Sequence, residues 1–205
     1  MSTRYGFYID SSSCTGCKAC QIACKDKNNL PVGVMWRRVV ESQGGDWLPR
    51  NKAWLTTAFA YFISVACNHC DLPICAEVCP TQAITQLDDG IVLIDSERCM
   101  GCKYCAMACP YKAPQYDPTQ GVMTKCDFCI DLLQKGKSPA CVSACQMRVL
   151  HYDDIAQLRA EHGDTAEIFP LPASELTQPA LVLTPHPDAV CGANKGAKIG
   201  NREEL

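Results

Sequence analysis

Apolar and polar positions along the chain predict several short strands connected by turns. Residues 5–9, 56–66 and 91–95 are apolar runs rich in aromatic or β-branched side chains, which is typical of strands. Asp89 and Gly90 form a turn signal directly before the third run. We therefore predict a short strand at each of these three places.

Two segments have the pattern of short helices. Residues 153–162 place Ile155 and Leu158 at helical spacing and are followed by Gly163, a common residue after a helix end. Residues 130–140 begin with a helix-compatible run that a glycine and a proline then interrupt. We predict a helix in each segment.

Two further segments show no sustained period. Residues 25–55 predict a loop or hairpin on the outside, whose Trp and Arg side chains are expected to be exposed, as interface anchors or as plain scaffold. These side chains are Trp36, Arg37, Arg38 and Trp47. From residue 170 the chain is proline-rich and weakly apolar, then polar, which predicts an extended arm that orders on a partner, or a disordered tail.

The 17 cysteines change this picture, because all but one fall into four groups. In sequence order, the groups are Cys14, Cys17, Cys20 and Cys24; Cys67, Cys70, Cys75 and Cys79; Cys99, Cys102, Cys105 and Cys109; Cys126, Cys129, Cys141 and Cys145. The third group has the C-x2-C-x2-C-x3-C-P spacing with which bacterial ferredoxins hold iron–sulfur clusters. The first group repeats the third without gaps, and Gly16 and Gly101 allow positive φ at matching positions. The remaining cysteine, Cys191, is predicted to be a free thiol.

Three chemistries compete for these cysteines. Disulfides usually accompany a secretory signal, and none is visible at the start of this sequence. Structural zinc favours paired C-x2-C units, whereas iron–sulfur clusters favour three close cysteines and a fourth nearby. Clusters therefore fit best, and His69 within the second group is expected to have a surface or supporting role because four cysteines already suffice.

Charge and hydropathy exclude several functions. The formal net charge of −3 argues against a basic nucleic-acid footprint. The longest apolar run, residues 53–66, is shorter than the roughly 20 residues that a membrane-spanning helix needs, so membrane association is expected only through a partner. Five lysines lie near cysteines, either to offset cluster charge or as ordinary solvated side chains. They are Lys18, Lys25, Lys103, Lys112 and Lys125.

Each group in a two-cluster ferredoxin supplies three ligands to its own cluster and its last cysteine to the other. Sequential pairing (first with second, third with fourth) and nested pairing are both possible, and the ferredoxin-like segment that links the second and third groups favours nesting. The nested ligand sets are Cys67, Cys70, Cys75 and Cys109; Cys99, Cys102, Cys105 and Cys79; Cys14, Cys17, Cys20 and Cys145; Cys126, Cys129, Cys141 and Cys24. Four [4Fe–4S] clusters are therefore predicted.

This pairing predicts an α+β fold of two nested bacterial-ferredoxin-like units with loop insertions and an extended C-terminal arm. The outer unit is expected to comprise residues 1–55 and 117–160. The inner unit is expected at residues 56–116 and the arm or tail at residues 161–205. No nucleophile–base pair or phosphate-binding loop is visible, so no catalytic residue is predicted.

Most of the sequence resembles the four-cluster electron-transfer subunits of the molybdopterin oxidoreductase complexes, most of all those of the dimethyl sulfoxide reductases. The resemblance includes Gly44-Gly45-Asp46-Trp47, Cys67-Asn-His-Cys70 and Ala113-Pro-Gln-Tyr116. Several relatives carry tryptophan and a [3Fe–4S] cluster where this sequence has Cys102. Gln146 departs from the family's Cys-Pro pattern, which puts the local loop shape in doubt.

The resemblance implies a heterotrimer. An integral-membrane subunit would oxidise menaquinol, and a molybdopterin catalytic subunit would reduce dimethyl sulfoxide or related S- or N-oxides. This non-catalytic chain would relay electrons between them on the periplasmic face after co-export with the catalytic subunit. The alternatives are the equivalent subunit for another oxide or oxyanion, a stand-alone multi-cluster ferredoxin, and a zinc- or disulfide-stapled binding module.

Overall fold

The computed structural model describes residues 3–191 and 196–204. The strands are β1 (Tyr5–Asp10), β2 (Arg38–Gly44), β3 (Trp47–Arg50), β4 (Ala53–Thr56), β5 (Phe59–Val65), β6 (Ile84–Gln86), β7 (Val92–Ile94), β8 (Gln115–Asp117), β9 (Val122–Thr124), β10 (Leu150–Asp154), β11 (Leu181–Thr184) and β12 (Lys198–Ile199). The helices are α1 (Ala19–Lys27), α2 (Ile74–Glu77), α3 (Tyr104–Ala108), α4 (Ile130–Leu133), α5 (Ala140–Ser143), α6 (Ile155–His162) and α7 (Pro187–Cys191). The fold is thus mixed α and β, built from short elements.

A three-stranded sheet forms the main core. Strand β1 is central, pairs antiparallel with β10 and pairs parallel with β11. The strand predicted at residues 5–9 is confirmed. The expectation for the segment after residue 170 needs correction, because Leu181–Thr184 is extended but lies in this sheet, with Val182 and Leu183 fully buried.

A second sheet has the order β12-β2-β5. Strand β5 confirms the prediction for residues 56–66. The predicted exposure of Arg37 and Arg38 is wrong, because both side chains are buried where β2 begins, and Trp36 is only partly exposed. Two arginines in a row suggested a solvated surface, whereas the apolar residues that follow them carry the backbone into the core.

Three hairpins complete the strand structure. The hairpin β3–β4 projects from the second sheet with all its residues exposed, which confirms the outer hairpin predicted within residues 25–55. The hairpins β6–β7 and β8–β9 lie in the middle of the sequence. Strand β7 confirms the prediction for residues 91–95.

The helices bring distant cysteine groups together. Helix α1, which carries the end of the first group, packs against α5 of the fourth group, and α2 of the second group packs against α3 of the third. Helices α4 and α6 confirm the two predicted helices, and the side chain of Asp154 caps α6 by accepting the N–H of Ala156. Within residues 3–191 and 196–204, no helix is long and apolar enough to cross a membrane.

Candidate iron–sulfur sites

All sixteen cysteines of the four groups are free thiols. Cys17 and Cys102, the second members of the two repeated groups, are exposed, and the other fourteen are buried or partly buried. The side chain of Cys191 lies outside the described residues, so its role as a free thiol stays a prediction.

The four groups share one backbone feature. The residue before the second cysteine has positive φ in every group, at 67° in Gly16, 43° in His69, 70° in Gly101 and 60° in Phe128. Left-handed backbone costs a residue with a Cβ of order 1–3 kcal/mol, and it persists where the surroundings impose it. The shared turn therefore indicates that all four groups wrap their sulfur atoms in the same way, including the fourth group with its long insertion.

The glycines at this turn also meet a second constraint. A Cβ on Gly16 would lie 2.5 Å from the ring of Phe62, and one on Gly101 would lie 2.3 Å from the carbonyl oxygen of Gly121. Both groups therefore need glycine for close packing as well as for its backbone angle.

The loop after the last cysteine recurs in three groups. Gln82, Lys112 and Arg148, each three residues after such a cysteine, have φ of 52°, 52° and 54°. Within two of these loops a backbone N–H donates to the cysteine sulfur, from Ala83 to Cys79 at 3.3 Å and from Val149 to Cys145 at 3.4 Å. Glutamine after Cys145 therefore leaves the loop shape unchanged, which removes the doubt raised by the missing proline.

A partly enclosed cavity is lined by thiols from two groups. It contains about 370 Å³ of space free of protein atoms, and Lys125 and Thr177 also line it. Its cysteines are Cys67, Cys70, Cys75 and Cys109. Three members of the second group therefore face the last member of the third.

A second cavity has almost the same size, about 380 Å³. It lies beside Ser64 and Val39, between the first group and the strand β10. Its cysteines are Cys14, Cys17, Cys20 and Cys145. Here three members of the first group face the last member of the fourth.

Seven of the other eight cysteines also lie close to cysteines of a second group, whereas Cys102 lies near Cys105 of its own group. Cys24 of the first group lies near Cys141 and Cys129 of the fourth, and Cys126 lies near Cys24. Cys79 of the second group packs on the same small core as Cys99 and Cys105 of the third.

Burial raises the pKa of several of these thiols, so they stay protonated at neutral pH when no metal is bound. Burial raises the pKa of Cys24 to about 12, and the neighbouring sulfurs of Cys141 and Cys129 add to the increase. The pKa of Cys70 and of Cys75 is likewise raised to about 12, first by burial. Metal ligands must be thiolates, so iron binding at these positions releases protons.

Two cations lie buried beside these sulfurs. Arg37 is 1% exposed and Lys125 is 4% exposed. Lys125 donates to the carbonyl oxygens of Val92 and Cys126. The position of Lys125 next to Cys126 in the sequence already marked it as a cation near the cysteines. The position of Arg37 beside the sulfurs could not be predicted, because two arginines in a row usually indicate a solvated surface.

His69 is fully buried, which corrects the expected surface alternative. Its Nδ1 accepts the N–H of Val92 at 3.0 Å, and its ring meets Phe128 edge-on. Burial and the nearby cations of Lys125 and Arg37 hold the pKa of His69 well below its usual range. His69 therefore has a supporting role as a neutral ring in the second cysteine loop.

The donor chemistry fits iron–sulfur clusters. Each cavity offers four thiols, and thiolates are the usual cluster ligands. Structural zinc favours paired C-x2-C units, whereas each cavity here combines three thiols of one group with the last thiol of another. The N–H groups directed at cysteine sulfurs are a further feature by which proteins tune such clusters.

Comparison with known proteins supports the same chemistry. A model of the 4Fe-4S dicluster domain matches residues 58–155, and a model of a 4Fe-4S binding domain matches residues 11–30. The sequence is 46% identical over 205 residues to the B subunit of the anaerobic dimethyl sulfoxide reductase of Escherichia coli K12, with 100% of both proteins covered. It is 46% identical over 203 residues to the B subunit of the same enzyme from Haemophilus influenzae, covering 98% of this protein and 99% of the relative.

A more distant relative is named for a different sulfur compound. The B subunit of the polysulfide reductase of Wolinella succinogenes is 36% identical over 190 residues, covering 91% of this protein and 96% of the relative. The family predicted from the motifs is confirmed by full-length similarity. This protein belongs to the family of anaerobic dimethyl sulfoxide reductase B subunits, the iron–sulfur electron-transfer subunits of oxidoreductase complexes.

Proposed function

We propose that this protein holds four [4Fe–4S] clusters and relays electrons through them from a quinol-oxidising membrane subunit to a molybdopterin subunit that reduces dimethyl sulfoxide or a related S- or N-oxide. The ligand sets are Cys67, Cys70, Cys75 and Cys109; Cys99, Cys102, Cys105 and Cys79; Cys14, Cys17, Cys20 and Cys145; Cys126, Cys129, Cys141 and Cys24.

One observation carries this proposal. Each of the two cysteine-lined cavities has three thiols from one group and the last thiol of another, which is the ligand pattern of a two-cluster ferredoxin. The partners are the second with the third group and the first with the fourth. The helix contacts α1–α5 and α2–α3 join the same groups and favour two nested units over a sequential arrangement.

The nested arrangement assigns the units as the sequence predicts them. Residues 56–116 form the inner unit, and residues 1–55 with 117–160 form the outer unit. The segment from residue 161 onward is an addition to the outer unit, because β11 pairs with β1. Cys126 lies near both Cys24 and Cys67, so the two units approach each other at this residue.

When bound, the clusters supply one-electron redox chemistry. The protein's own residues exclude water from most of the sulfurs, donate N–H groups to several of them and place fixed cations nearby. These are the features with which a protein sets cluster potentials. The protein itself is non-catalytic, since its proposed work is to hold and tune the clusters.

The proposed partners are a molybdopterin catalytic subunit and an integral-membrane anchor, in a heterotrimer held at the periplasmic face after co-export. Relatives named as the B subunits of reductases support such partners. The hairpin β3–β4 supports them too, because Trp47 and Trp54 are 65% and 67% exposed and Leu48 lies opposite Leu55. Exposed tryptophans of this kind are typical interface anchors.

Cysteine substitutions in the intact complex test the pairing. Cys17→Ser and Cys145→Ser should alter the same cluster signal in redox-poised EPR, and Cys24→Ser should alter the signal that Cys129→Ser alters. Cys191→Ser is the matched control and should leave all four signals intact. Sequential pairing would instead link Cys24 to a signal of the second group and would overturn the nested assignment.

A stand-alone multi-cluster ferredoxin is the second candidate. Affinity purification from anaerobic membranes separates the two functions. Recovery of a molybdenum-containing partner together with quinol-dependent reduction of dimethyl sulfoxide supports the relay, whereas recovery of the free monomer alone supports the ferredoxin. Iron and acid-labile sulfide in the purified material test cluster content independently of the partners.

A further inference from the structure

The buried cation of Arg37 lies among cysteines of both the first and the fourth groups. Arg37 donates from Nη1 to the carbonyl oxygen and to Oγ of Ser64, both at 3.1 Å. Its guanidinium lies over the ring of Phe7, 4.6 Å from the centroid. Ser64 Oγ is in turn 3.2 Å from the sulfur of Cys20. Since Ser64 Oγ accepts from Arg37, its own proton can be directed at that sulfur.

The neighbouring cysteines belong to both proposed ligand sets of the outer unit. Burial alone would lower the pKa of Arg37, but nearby sulfurs outweigh it and raise the pKa. They are Cys141, Cys20, Cys126 and Cys24. Cys20 belongs to one proposed cluster of the outer unit, and the other three belong to the second.

No conventional counter-ion balances this charge. Among residues 3–191 and 196–204, no carboxylate forms an ion pair with Arg37, and its Nε and Nη2 have no hydrogen-bond partner. A buried unpaired charge costs several kcal/mol, and proteins avoid it by supplying an opposite charge. The thiolates of these cysteines are negative once they bind iron, and they are the charges that act most strongly on the guanidinium of Arg37.

On this basis, and given the clusters proposed above, we propose that Arg37 is the shared counter-ion of the two outer-unit clusters and holds the reduction potentials of both above the values that their thiolates alone would give. Each reduction adds one electron and one negative charge to a cluster. A fixed cation nearby stabilises that added charge without any proton uptake, because the guanidinium stays charged at all accessible pH values. Burial strengthens the effect, since the local dielectric is low.

The adjacent residue provides a natural comparison. Arg38 is also buried, but it donates from Nη2 to the carbonyl oxygens of Tyr111 and Lys112 at 2.9 and 3.1 Å. The cysteine whose charge interacts with Arg38 is Cys109, a proposed ligand of the inner unit. Two neighbouring arginines thus face different units, and the same substitution at each position should affect different clusters.

The experiment is redox-poised EPR of the intact complex in anaerobic membranes, with wild type and three variants. Arg37→Gln should lower the midpoint potentials of both outer-unit clusters, with at least a tenfold loss in each reduction equilibrium constant, which is about 59 mV for a one-electron couple. Arg37→Lys keeps the charge and should restore most of both potentials. Arg38→Gln should leave both outer-unit potentials at their wild-type values.

Three results would overturn the inference. They are unchanged outer-unit potentials in a fully loaded Arg37→Gln complex, a shift of only one of the two clusters, and an Arg37→Lys complex that is shifted as far as Arg37→Gln. If Arg37→Gln fails to load the outer unit, the iron content of Arg37→Lys decides: loading restored by the lysine supports the counter-ion, and loading lost in both refutes it. Wild-type iron content and its four signals are measured first, so failure of the four-cluster proposal is recognised separately.

Discussion

Leu183 tests whether the segment after residue 170 belongs to the folded core. It is 1% exposed, lies opposite Ile9 in the parallel pair of β11 with β1, and packs in the same core as Cys141 and Cys145. Its backbone N–H also donates to the carbonyl oxygen of Thr165 at 2.7 Å. The side chain is therefore enclosed on all sides by core and backbone.

The expected cost of Leu183→Ala follows from this burial. Three carbon groups at about 0.8 kcal/mol each give about 2.4 kcal/mol of lost transfer free energy. The cavity left in a tightly packed core raises the total loss in unfolding free energy to about 3–4 kcal/mol. With a urea dependence of about 3 kcal/mol per M, the unfolding midpoint should fall by about 1 M.

Anaerobic urea unfolding of the complex, followed by loss of cluster absorbance, measures this change. Leu176→Ala is the matched control, because Leu176 is 61% exposed and lies in the short 3-10 helix Ser174–Leu176 of the same segment. The control should stay within about 0.5 kcal/mol of wild type. Equal midpoints for the two variants would refute the placement of β11 in the core.

Three further predictions concern the helix cap, the exposed hairpin and the metal. Asp154→Ala should lower the unfolding free energy by about 1 kcal/mol at neutral pH. The backbone N–H groups of Arg4 and Ala156 lower the pKa of Asp154 in the folded protein. The charge of Asp154 therefore contributes fully to stability above the ordinary pKa of 3.8, and this contribution is lost as the pH falls through the lower folded pKa. Asp154→Asn keeps a capping oxygen without the charge. If the difference in unfolding free energy between wild type and Asp154→Asn stays constant as the pH is lowered, this explanation is contradicted. The double variant Trp47→Ser/Trp54→Ser should co-purify with less of the partner subunits at unchanged iron content, and undiminished recovery would count against the hairpin as an interface. Anaerobic iron removal by a chelator should make the protein sensitive to protease, because the sulfurs lose the metal that joins distant segments and the buried cations lose the thiolate charges opposite them; retained resistance would contradict that.

Local chemistry made much of the candidate site predictable from the sequence. Within each group, most successive cysteines are only a few residues apart in the sequence, so the four groups and the glycine turns could be predicted. The strand β1 and the helix α6 were predictable for the same reason, since their apolar periods lie within single short segments.

The features that depend on distant packing could not be predicted in this way. Nothing near Leu181–Thr184 indicates that β1 is its neighbour, and the surrounding prolines suggested a loose arm. Arg37 and Arg38 look like surface residues because their compensating charges and carbonyls come from segments far along the sequence. His69 adopts a left-handed backbone without being glycine, and only the buried surroundings that hold its ring explain why it is tolerated there.

The parallel pairing of β11 with β1 has a consequence for the order of assembly. During synthesis, β1 and the first cysteine group leave the ribosome early, but β11, and Cys145 as the proposed fourth ligand, follow only after most of the polypeptide has been made. The inner groups are complete much sooner, because the second and third groups are close in sequence. In the nested pairing that we propose, the ligand sets of the outer unit are therefore complete only late in translation, well after those of the inner unit.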